Sequence, residues 1–151
     1  MRIAVGSDMD MPVVRATMDE LVNRGHTVVK FGAIVQEPAP WPKVAIEAAE
    51  AVASGTCDQA VLFCWTGTGI NMAANKVKGI RAALCTDAET ARGARQWNDA
   101  NVLCMSLRLA SEVVAKEILD AWFEAEPSKD PVDAACIVFL KEAEEKWRMK
   151  N

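Results

Sequence analysis

A chain of 151 residues, 51% hydrophobic and 25% charged, is long enough for one well-buried domain and short for two. A net charge of −4, a pI near 5.1 and the lack of any Lys/Arg stripe argue against a nucleic-acid partner. Five cysteines without a Cys-x-x-Cys pair fit reduced thiols better than a disulfide frame, and a single histidine makes a histidine-based metal site unexpected.

Taken in chain order, short runs rich in β-formers alternate with longer stretches of helical spacing. Ile3–Val5, Thr27–Phe31, Ala60–Phe63, Ile80–Leu84 and Val102–Met105 read as five strands. Between them, Val44, Ala45, Ala48, Ala49 and Val52, and later Val113, Val114, Ala121 and Trp122, repeat at helical intervals, while Gly25, Gly55 and Gly79 stand where helices stop. Such alternation predicts a three-layer α/β fold, a parallel sheet with helices on both faces. The first strand begins at once, with no apolar segment of signal-peptide or membrane length, so a cytoplasmic protein making no membrane contact is expected. After Glu126–Pro131, a proline-flanked hinge, a last helix carries an apolar stripe of Val132, Ala135, Cys136, Phe139, Leu140, Ala143 and Trp147. That stripe must be buried, either on its own domain or, as preferred here, on a second subunit.

Chemistry concentrates at Cys64–Lys76, where a thiol and a glycine-rich turn leave a buried strand together. Gly67 and Gly69 allow the backbone N–H groups of a helix start to approach an anionic atom beside Cys64. A thiol so placed has its thiolate favoured, which suits a general base. With strand order 2-1-3-4-5, the loop Gly6–Asp10 faces the loop Cys64–Asn71, so Asp8 is expected to reach a ligand. Asp10 reads as the N-cap of the helix that begins at Met11-Pro12. Gly67-Thr68-Gly69 with Asp87 mimics a dinucleotide fingerprint only weakly, since Met72 replaces the third glycine and the turn follows the third strand. His26 reads as a surface residue at the far edge.

Residues Ile3–Asp8, Gly25–Val29, Cys64, Thr66, Gly67, Gly69, Ala73–Lys76, Gly79–Cys85, Thr90–Arg92 and Asn98–Leu103 together resemble the type B ribose-5-phosphate isomerases and the related galactose-6-phosphate isomerase subunits. The resemblance implies a Rossmann-like isomerase domain over residues 1–125, with 126–151 as hinge and dimerisation helix of the same domain. It implies a homodimer, with a tetramer left open, that interconverts an aldose and a ketose of a small sugar or sugar phosphate through a cis-enediolate, without metal or nucleotide cofactor. Carried over by position, Cys64 moves the proton between C1 and C2, and Thr66 assists. The N–H groups of Gly67, Thr68, Gly69, Ile70 and Asn71 stabilise the enediolate. Asp8 and Asn98 bind hydroxyls, and Arg108 an anionic or hydroxyl group, with Lys129 and Arg15 as further candidate cations. Gln96–Asp99 can join the site only from a partner.

Departures from the family pattern cluster at the same pocket. Met9 and Trp97 stand where the family commonly has histidines, Trp65 replaces a glycine, Trp41-Pro42 replaces Tyr-Pro, and the last helix lacks paired arginines. Aromatic faces suit sugar C–H surfaces, and losing a ring-opening histidine matters least for a substrate that cannot cyclise. The competing readings are a non-catalytic sugar-binding homologue and, more remotely, a nucleotide-binding domain.

Overall fold

The computed structural model describes residues 1–149; residues 150 and 151, the end of the expected helical tail, lie outside it. The elements run β1 (Arg2–Ser7), α1 (Pro12–Asn23), β2 (Thr27–Gly32), α2 (Trp41–Ala53), β3 (Gln59–Cys64), α3 (Thr68–Ala74), β4 (Ala82–Leu84), α4 (Ala88–Asn98), β5 (Val102–Ser106), α5 (Glu112–Glu124) and α6 (Pro131–Arg148). All four strand pairings are parallel. Alternate strand residues therefore point to opposite helical layers. Ile3, Val5, Val61, Phe63, Leu103 and Met105 pack against α1, α4 and α5, whereas Ala4, Ala60, Leu62, Cys64, Val102 and Cys104 pack against α2 and α3. The buried face of α2 is Val44, Ala45, Ala48 and Ala49. Small side chains there let the helix lie close to the sheet and fix the position of its N-terminus.

The strand order is β2-β1-β3-β5-β4, not the expected 2-1-3-4-5. All five residues of β5 are buried, whereas β4 has three residues, each half-buried. The longer run, buried along its whole length, takes the interior of a parallel sheet, and the short run is left at the edge. The exchange places the end of β5 beside the end of β3.

Asp10 does not cap α1. The cap position is Met11, whose side chain makes no capping bond, and the Asp10 carboxylate pairs instead with Arg15. Helix α6 has no buried residue. It is held to the body by polar contacts: the Gly79 N–H donates to both carboxylate oxygens of Glu144 at 3.3 and 3.1 Å, Arg148 donates to the Lys76 carbonyl at 3.1 Å, and Lys78 pairs with Glu145. Its apolar stripe stays open, with Val132 and Phe139 more than 70% exposed. Among the described residues, no helix is long and apolar enough to cross a membrane.

Candidate active site

The β1–β3 ladder ends at Ser7 opposite Phe63, so Asp8 and Cys64 lie one step beyond the last pair. Gly6 and Leu62 face α2, and by alternation Cys64 faces the same side, while Asp8 opens the bend that follows β1. The thiol is 5% exposed. The Asp8 carboxylate is half-buried, and its Oδ1 is shut from solvent without a hydrogen-bond partner. Burial raises its pKa above the ordinary 3.8, opposed by a bond from its own backbone N–H. Such a carboxylate destabilises the empty protein when ionised. The folded state holds this proton to higher pH than the unfolded state, so stability falls as pH rises through the interval above 3.8. Asp8→Asn lacks that loss. Its melting temperature is expected to exceed the parent's at about pH 7, with the gap closing towards about pH 4, as thermal melts will read.

Beyond Cys64 the chain turns through Gly67 at φ 77° and enters α3. A Cβ on Gly67 would lie 2.5 Å from Leu84 Cδ1 and 3.0 Å from the Met105 carbonyl carbon, so both the left-handed backbone and the space demand glycine. Gly67→Ala is expected to destabilise the fold by about 3 kcal/mol, measured by urea unfolding, from left-handed strain and overpacking together. Thr66 and Thr68 share a hydroxyl hydrogen bond of 2.7 Å, and Asn71 Oδ1 is buried without a partner. The Trp41 indole lies over Gly69, its ring carbons 3.1 to 3.3 Å from where a Cβ would stand. Trp41, the first residue of α2, thus forms a wall against the turn.

The end of β5 completes this rim. Leu107 N–H donates to the Cys64 carbonyl and Arg108 N–H to the Trp65 carbonyl, both at 3.0 Å, and Ser106 Oγ adds a second bond to Trp65 at 2.9 Å. The Trp65 backbone is pinned, its side chain 48% exposed, with exposed Arg108 alongside and free of any ion pair among the described residues. On the other flank Ser7 Oγ donates to the Met9 carbonyl at 2.6 Å. Ser7 and Ser106, to which the sequence assigns no role, hold the two rim loops. A polar residue closing an apolar strand is the only sequence signal of either. Arg15 is taken up by Asp10.

Trp97, Asn98 and Lys129 are not part of this rim. Helix α4 runs back from the β4 end, so its last residues stand at the opposite edge of the sheet from Cys64. The Ser128 N–H donates to the Gln96 carbonyl at 2.7 Å, which ties the segment before α6, and Lys129 with it, to that end. A groove of about 750 Å³ opens there between α6, the end of α4 and β4, lined by Asn75, Arg81, Trp97, Asn98, Phe139 and Leu140 among others. One chain therefore carries two groups of candidate residues on opposite ends. Among the described residues, no cluster of three or more His, Cys, Asp or Glu could hold a metal ion.

Comparison with known proteins decides the family. The family described as Ribose/Galactose Isomerase matches residues 3–134. The chain belongs to the ribose/galactose isomerase family. Family relatives include ribose-5-phosphate isomerase B of Escherichia coli, 40% identical over 83% of this chain and 85% of that protein. Another is the D-erythrulose-4-phosphate isomerase of Pectobacterium atrosepticum, 38% identical over 82% of this chain and 83% of its own. The solved structure of ribose-5-phosphate isomerase B from Clostridium thermocellum superposes with a TM-score of 0.91 at 40% identity, covering 97% of this chain and 99% of that one. This family member is an aldose–ketose isomerase of the sugar-phosphate class.

Proposed function

We propose that this isomerase interconverts a four-carbon aldose 4-phosphate and its ketose through a cis-enediolate, at a site completed by a second copy of the chain. The observation that carries the reading is the Cys64 thiol beside Asp8 and the open turn 66–71, with no imidazole on either group of candidate residues. The chain's single histidine, His26, is at the start of β2, its ring 4.8 Å from that of Phe123. An aldopentose or aldohexose phosphate is largely cyclic and needs an acid to open its ring. A tetrose esterified at O4 has no hydroxyl left to close a five-membered ring, so it reaches the site already open. The name of the Pectobacterium relative supports the same substrate class.

In this reading the Cys64 sulfur takes the proton from C2 of the aldose, and the electron pair moves to O1 as the enediolate forms. The N–H groups of Gly67, Thr68, Gly69 and Ile70 face the developing charge, where one preorganised donor can contribute about 3 kcal/mol, while that of Asn71 donates to the Gly67 carbonyl at 3.2 Å. Thr66 and Asp8 pass the hydroxyl proton from O2 to O1, and the thiol returns its proton to C1. Arg108 and the Lys129 of a second copy meet the phosphate. Asn98 of that copy binds a hydroxyl, and Met9, Trp41, Trp65 and the second copy's Trp97 wall the C–H face of the sugar. The open stripe of α6 supplies the homodimer contact. The described cysteines are all unpaired, in keeping with a cytoplasmic setting.

The test is a substrate comparison. Because a mostly cyclic sugar is penalised by its small open fraction, kcat/KM for erythrulose 4-phosphate is expected to exceed that for ribose 5-phosphate by about tenfold or more. Preference for the pentose phosphate contradicts the four-carbon assignment.

A further inference from the structure

We propose that Arg81 and Asp99 form a clamp that positions Asn98 and Trp97 for the active site of a partner subunit; the proposal rests on the shared-site reading above. Asp99 follows α4 at φ 44°, ψ 44°, and is the one non-glycine residue with positive φ among those described. Side chains rarely accept this backbone, and it persists only where the surroundings over-determine it. Here they do. Arg81 Nε donates to the Asp99 carbonyl at 2.8 Å and Arg81 Nη2 to Asp99 Oδ2 at 3.0 Å, so a planar guanidinium grips backbone and side chain of one residue at once. Arg81's own N–H donates to Asn101 Oδ1 at 2.8 Å, Asn101 Nδ2 donates to the Gly79 carbonyl at 2.9 Å, and Arg95 Nη1 holds the Ala100 carbonyl at 2.5 Å.

Residues 99–101 are thus tied by Arg81, just before β4, and by Arg95 of α4, while their neighbours Trp97 and Asn98 stand exposed in the groove. The Trp97 indole is itself laid along α4, where a Cβ on Gly93 would come within 2.9 Å of it. An ordinary helix end needs only a glycine at the left-handed position. This one carries an aspartate gripped by Arg81, with Arg95 Nη1 3.7 Å from its other carboxylate oxygen, and its output is a fixed placement of Asn98. Arg81 touches no substrate in this arrangement and is a positioning residue.

Subunit mixing tests the clamp. Equal mixing of Cys64→Ala and Asn98→Ala chains is expected to restore about a quarter of parental activity, since half of the dimers then hold one intact site of two. Absence of that recovery overturns the shared site itself. Given recovery, an Arg81→Gln chain is expected to restore activity with Cys64→Ala and not with Asn98→Ala, because its defect lies in the Asn98 half. Recovery with both partners, or with neither, overturns the clamp. A double-variant cycle gives the second readout: Arg81→Gln is expected to lower kcat/KM by about tenfold alone and by less than about twofold where Asn98 is already alanine. A full tenfold loss in both backgrounds means a merely structural role. Asp99→Asn, which keeps the left-handed preference without the charge, is predicted to follow the same pattern and serves if Arg81→Gln does not fold.

Discussion

Replacing Cys64 by alanine is expected to lower kcat by about a thousandfold and leave KM within about threefold of the parent, since a positioned general base contributes about 10²–10⁴ in rate. The thiol sits at the end of β3, so the substitution removes one sulfur without disturbing the strand, and the stability change is expected to be about 1 kcal/mol. Two other buried cysteines, one in each layer of the core, are the control. Cys85 is buried and its pKa is pushed up to about 12 by that burial, and Cys104 is raised by complete burial. Burial disfavours the thiolate of both, and neither opens on the rim. Cys85→Ala and Cys104→Ala should therefore change melting temperature and leave kcat near the parent value. If Cys64→Ala behaves as they do, Cys64 is a core residue and the base lies elsewhere.

Charging the open stripe of α6 is expected to have the second large effect. Phe139 is 74% exposed and Leu140 52%, so Phe139→Asp/Leu140→Asp disturbs little within one chain. In a two-fold dimer every interface residue is used twice, and unpaired buried carboxylates cost about 3–5 kcal/mol each. The variant should sediment as a monomer with parental circular dichroism, and its kcat/KM should fall by more than about a hundredfold because Trp97, Asn98 and Lys129 no longer reach the Cys64 rim. A monomer of parental activity removes the shared site from the account. A variant that remains dimeric places the contact on another surface.

Much of this was legible in the sequence, for identifiable physical reasons. The five strands and their alternation with helices are local signals, written in apolar period and glycine stops, and the structure extends each strand by one to three residues except at β4, which is shorter. The placement of Cys64 and Asp8 at the carboxyl ends of neighbouring strands was legible because it follows from the strand boundaries alone, whatever the outer strand order. The interchange of β4 and β5 was not, because it turns on which of two apolar runs buries better, a tertiary competition. Asp10 satisfied the capping pattern, and a nearby arginine outbid the helix for its carboxylate. The Arg81–Asp99 contact links residues eighteen apart through a turn whose φ no motif announces. In α6 the stripe is plain in the sequence, and its own domain leaves it uncovered.

If Cys64 moves a carbon-bound proton of an open-chain sugar phosphate, proton NMR of erythrulose 4-phosphate incubated with the enzyme in deuterium oxide will show it. Deuterium is expected at C1 of the ketose and C2 of the aldose with the parental protein and none above the uncatalysed background with Cys64→Ala. Exchange that survives intact in Cys64→Ala, or its absence with the parental protein across four- to six-carbon sugar phosphates, contradicts this role of Cys64.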